Sequence, residues 1–173
     1  MKSVTLLHLF LLTGILPITN YSSYKNLLEH REAVVAAPNT GITVNKQLVL
    51  ELVNKIRMSG VQCGDTYYYP VPPVQWNVQL EAAAFEHSKD MFQNKYFSHQ
   101  ANDGTKGGAR IEAEGYWWST YGENLGLGYA NEKQVVEAWL KSPGHCKNIM
   151  NKSFKEMGVA RVGNYWTQDF AAR

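Results

Sequence analysis

The apolar pattern of this chain changes period near its C-terminal end, and that change limits the folds open to it. In separate stretches up to Leu140 the apolar residues recur at the three- and four-residue spacing of a helix face. From Gly158 onward the chain is β-prone. Gly158-Val159-Ala160-Arg161-Val162 and Tyr165-Trp166-Thr167-Gln168-Asp169-Phe170 flank Gly163-Asn164, a pair suited to a tight hairpin turn. Helices first and strands last predict an α+β domain, with helices packed on an antiparallel sheet.

Local signals divide the helical part. Asn45 is the N-cap of a first helix with Val49, Leu52 and Ile56 on one face, and Gly60 ends it. The Tyr- and Pro-rich run from Tyr67 to Pro73 cannot be helical. Asn77 caps a second helix, in which Leu80, Ala84, His87 and Met91 share a face. His87 therefore reads as a buried, hydrogen-bonded histidine rather than a ligand. From Tyr96 to Gly128 glycines are dense, and the stretch reads as a long loop interrupted by a short helix at Ala109–Glu114. Asn131 caps another helix, with Gln134 at the capping-box position and Val135, Val136, Trp139 and Leu140 as its apolar stripe. Ser142-Pro143-Gly144 stops that helix, and His145 opens the next turn.

A chain of 173 residues, 45% of them apolar, suits one domain with its own core. Seventeen basic residues against fifteen acidic ones, with no basic stripe, argue against a nucleic-acid partner. The N-terminus carries Lys2 and an apolar run from Val4 to Ile18 broken by Gly14 and Pro17, the pattern of an export signal. The expected organisation is a signal peptide at 1–20, a linker or loose leader at 21–44, and a domain at 45–173. A secreted monomer, extracellular or periplasmic, follows. The two cysteines, Cys63 and Cys146, fit an oxidising compartment. Paired, they close a loop of about 80 residues worth about 4 kcal/mol; two buried free thiols are the alternative.

Three segments carry chemistry: Tyr96-Phe97-Ser98-His99, Gly122-Glu123-Asn124-Leu125, and Ser142-Pro143-Gly144-His145-Cys146. Two imidazoles and a carboxylate match either a divalent-metal set with an open position or a histidine oriented for proton exchange. His99 and His145 are the candidate zinc ligands, and Glu123 completes the group. Ser98 and Ser142 neighbour the histidines, but nothing in their spacing marks either as a nucleophile.

Taken in order, these segments resemble the CAP superfamily of SCP-like extracellular domains, in its compact bacterial form. Supporting pieces are His87-Ser88-x-Asp90-Met91, Asp103-Gly104, Arg110-Ile111, Gly115-Tyr116, Trp139-Leu140, Phe154-x-Glu156-x-Gly158-Val159 and Tyr165-Trp166-Thr167-Gln168. The resemblance spans about Asn45 to Phe170. It implies a three-layer α-β-α sandwich, secretion, and a cleft holding two histidines and two acids. His99, Glu123 and His145 match three of the four. For the second acid the nearest match is Glu137. The expected function is binding of a lipid, glycan or cell-envelope ligand. A hydrolase of peptides or envelope polymers is the first alternative, and a protein-interaction module with an inert cleft is the second.

Overall fold

The computed structural model describes residues 43–173; the signal-peptide reading and nearly all of the expected leader lie outside them. Helix α1 (Lys46–Ser59) leads into a small hairpin, β1 (Val61–Cys63) and β2 (Thr66–Tyr68), and then β3 (Gln75–Trp76). Helices α2 (Val78–Asn94) and α3 (Gly107–Ala113) follow, then β4 (Thr120–Leu127), α4 (Glu132–Lys141), α5 (Pro143–Ile149), β5 (Glu156–Val162) and β6 (Tyr165–Ala172).

The asparagine caps form as the sequence requires. Asn45 Oδ1 accepts the Leu48 amide, Asn77 Oδ1 those of Gln79 and Leu80, and Asn131 Oδ1 that of Gln134. Each satisfies amides that no helical carbonyl can reach. The buried stripe of α1 is Val49, Val53 and Arg57, turned slightly from the expected face. Arg57 is fully buried, and its guanidinium donates to the carbonyls of Pro72, Ile149, Asn151 and Phe154. It thereby ties α1 to the loop before β3 and to the C-terminal end of α5 and the segment that follows it.

The main sheet has the order β3-β5-β6-β4. The β5–β6 hairpin turns at Gly163, whose φ of 57° favours glycine. It is flanked by β4, antiparallel to β6, and by β3, which runs parallel to β5 over two residue pairs. The sheet is thus mixed rather than purely antiparallel. Strand β4 also corrects the reading of 96–128 as loop with one short helix. Its glycines hid it: a Cβ on Gly122 would come within 2.7 Å of Phe154, and one on Gly126 within 2.8 Å of Val135. These positions lack side chains because the neighbouring layer fills their space.

Helices cover both faces of the sheet, giving an α-β-α sandwich. On one side α1, α4 and α5 bury Val53, Val136, Trp139 and Ile149 against Met157, Val159, Trp166 and Phe170. On the other, α2 and α3 bury Leu80, Ala83 and Ile111 against Ala171. Helix α2 approaches so closely that a Cβ on Gly158 would lie 2.1 Å from the Glu81 amide nitrogen. Cys63 and Cys146 form a disulfide, with Cα atoms 5.6 Å apart, that fastens β1 to α5.

Candidate functional site

Strand β4 is an edge strand, and its pleat sets the site. Glu123 pairs with Asp169 and Tyr121 with Ala171, so these side chains share the α2–α3 side of the sheet. Asn124 pairs with Gln168 and points to the opposite side, where their amides bond at 2.9 Å.

Glu123 is almost entirely buried, yet both carboxylate oxygens are engaged. His99 Nδ1 lies 2.7 Å from Oε1, and Arg110 Nη2 donates to Oε2 at 2.6 Å. Burial alone would push this carboxyl up, but His99, Arg110 and His87 more than offset it and hold it below the usual carboxylate range. An ionised carboxylate only accepts, so the Nδ1–H of His99 donates to it, and Nε2 remains as the ring's other polar atom. The His99 side chain is 60% exposed while that of Glu123 is 5% exposed. A buried anion thus orients an exposed imidazole. Arg110 is held in turn by the carbonyls of Thr105 and His99.

His99, Gln100, Lys106, Gly107, Tyr121 and Glu123 line a hollow of about 300 Å³. Its rim offers an ammonium, an amide, an imidazole and a phenol.

His145 occupies the third position of α5, which begins at Pro143, two residues earlier than expected. Asn124 Nδ2 donates to the His145 carbonyl, while Asn148 Nδ2 donates to the Glu123 carbonyl and to Asn124 Oδ1. These asparagines seat α5 against the β4 edge, so that His145 comes from one helical layer and His99 from the other. Partial burial, and then the charge of His99, push His145 below the ordinary histidine value. His145 does not bond Glu123, and it lies outside the lining of the His99 hollow. The three residues therefore assemble as a bonded pair with a nearby third member.

Among the described residues no three His, Cys, Asp or Glu side chains converge as a metal set would require, and both Glu123 oxygens are already taken. Glu137 sits on the exposed face of α4, lining a separate hollow with Tyr129 and Lys141, and does not join His99. Ser98 Oγ accepts the Gln100 amide, and its carbonyl accepts from His87 Nε2. His87 is buried as expected but only half satisfied, because its Nδ1 has no partner among the described residues.

Sequence reasoning did not assign Arg110 or Asp169 to the site. Arg110 lies in a short helix of weak periodicity. For Asp169 the sequence shows only an acid amid the aromatic residues of a β-prone run; its pairing with Glu123 is not local.

The comparisons with known proteins agree with this architecture. The family model described as the cysteine-rich secretory protein family, CAP, matches residues 50–170. Two proteins of Bacillus subtilis (strain 168) are similar in sequence. The uncharacterized membrane protein YlbC is 30% identical over 76% of this chain and 35% of its own length. The uncharacterized protein YkwD is 31% identical over 84% of this chain and 53% of its own length. The chain thus spans from a third to about half of these relatives. Among solved structures, an extracellular protein containing an SCP domain from Bacillus anthracis superposes with a TM-score of 0.65 and 30% identity, covering 73% of this chain and 40% of that one. On the extent of the family match and the three-layer fold, this chain belongs to the CAP family.

Proposed function

We propose that this chain acts outside the cytoplasm as a binding domain, and that the hollow beside His99 takes a polar cell-envelope ligand of the glycan class. The observation that carries the reading is the exposed His99 imidazole, fixed by buried Glu123 and bordered by Lys106, Gln100 and Tyr121. Such a rim matches hydroxyl and carboxylate groups on a sugar polymer, with the Tyr121 ring offering a stacking surface. A hollow of about 300 Å³ is small for an acyl chain, which sets lipid behind glycan. The disulfide, the apolar run at Val4–Ile18 and the extracellular SCP-domain relative support an extracellular setting.

Titration calorimetry with soluble peptidoglycan fragments tests this reading. Wild type binds the fragments, and His99→Ala weakens binding about tenfold or more, the loss expected for one charge-assisted hydrogen bond. Phosphatidylglycerol vesicles give no heat that depends on His99. Equal affinity in wild type and His99→Ala, or no binding at all, removes the reading.

One observation also favours a hydrolytic reading: a histidine oriented by a buried carboxylate is the arrangement of a general base. Mass spectrometry of the same incubations separates the two. Cleavage products formed by wild type and lost in His99→Ala would make the cleft catalytic.

A further inference from the structure

Behind Glu123 lies a second carboxyl with no charged partner of its own among the described residues. Asp169 stands directly across the β4–β6 ladder from Glu123, and Gly158 of β5 completes the transverse row on the same face. Side chains paired in this way in an antiparallel ladder sit about 5 Å apart at Cβ. Asp169 is 1% exposed, and neither carboxyl oxygen has a donor among the described residues. Two further buried atoms around Glu123 also lack partners, Arg110 Nε and His87 Nδ1. Every donor that reaches this pair of acids is spent on Glu123.

We propose that Asp169 is a positioning residue of the site: the Glu123–Asp169 pair shares a single negative charge, kept on Glu123, while Asp169 retains its proton. The geometry accounts for the asymmetry. His99 and Arg110 both bond Glu123, whereas Asp169 has only a second carboxylate and a packed helix before it. Like charges facing each other across a ladder repel, and burial magnifies the repulsion. The charged groups that act on Asp169 are Glu123 from β4 and Arg110 from α3; the facing residue on β5 is Gly158. Burial first, and Glu123 second, push the Asp169 carboxyl well above its ordinary value, against the smaller pull of Arg110. His87 is pushed down by its own burial. A neutral Asp169 leaves Glu123 as the carboxylate bonded by Arg110 and His99. Were Asp169 ionised, Arg110 would be drawn between two carboxylates and the anchor on His99 would loosen.

This inference concerns the same cleft as the proposed ligand, but its test uses no ligand, so the two can fail separately. Infrared difference spectra of the whole protein during alkaline titration read the carbonyl stretch of a protonated carboxyl, assigned by its loss in Asp169→Asn. Wild type shows the band at neutral pH. In Glu123→Gln the opposing charge is gone and Arg110 is released, so the band disappears at a lower pH than in wild type. Absence of the band in neutral wild type overturns the proposal. So does an unchanged titration midpoint in Glu123→Gln, which would reduce Asp169 to a buried acid unconnected to the site.

Discussion

Glu123 and Asp169 are neighbours with opposite effects on stability as pH changes. Glu123 has a depressed folded pKa, so its contribution is present above the ordinary carboxylate value and is lost as pH falls through the folded one. Glu123→Gln leaves the buried Arg110 without a counter-charge and is expected to cost about 3 kcal/mol at neutral pH. That deficit should shrink as pH falls below the ordinary carboxylate value, about 4, and through the lower folded one. Urea unfolding at neutral and acid pH checks this, and a deficit independent of pH would contradict it. Asp169 runs the other way. Its folded pKa is raised, so the penalty grows as pH rises above the unfolded value, and Asp169→Asn is expected to exceed wild type in stability at neutral pH and match it in acid. Same-pH urea midpoints for the two proteins decide the point. His99 and Glu123 were legible only together, because each short run is weak alone and the order of the three runs carries the resemblance to CAP domains. Arg110 and Asp169 were not, because their roles arise from pairing across the sheet and between α3 and β4, separations that no local pattern encodes.

At the scale of elements, the close approach of α2 to the sheet at Gly158 is the least tolerant contact. Gly158→Ala would drive a methyl into the backbone at Leu80 and Glu81, and is expected to destabilise by about 3 kcal/mol. Thermal and urea unfolding of this variant measure it, and a change near zero would mean that α2 can move aside. Because Asp169 neighbours Gly158 on the ladder, a shift of α2 would also be felt at the site. The capped helices and the β5–β6 hairpin could be read from sequence, since Asn45, Asn77, Asn131 and Gly163-Asn164 act through bonds only a few residues long. Strand β4 could not be read. Its glycines mimic loop composition, and they are required by Phe154 and Val135 from a layer formed later in the chain.

For the whole molecule, the two helical layers meet over the β4 edge, and the disulfide holds the α5 side of that meeting. Reducing the Cys63–Cys146 bond, or replacing both residues by serine, is expected to cost about 4 kcal/mol in urea unfolding by releasing a long loop in the unfolded chain. Thiol titration of the denatured, unreduced protein should find none free. The sandwich was foreseeable from the period change together with the resemblance to CAP domains. The incomplete convergence of His145 with the His99–Glu123 pair was not, because it depends on how Asn124 and Asn148 seat α5. The most direct measurement of the cleft's role is an NMR titration of the folded protein with soluble peptidoglycan fragments. The account predicts shifts at the His99 ring and at the amides of Gln100, Lys106 and Tyr121. Shifts confined to the α1 hollow at Leu50, Asn54 and Met58, or none anywhere, would contradict it.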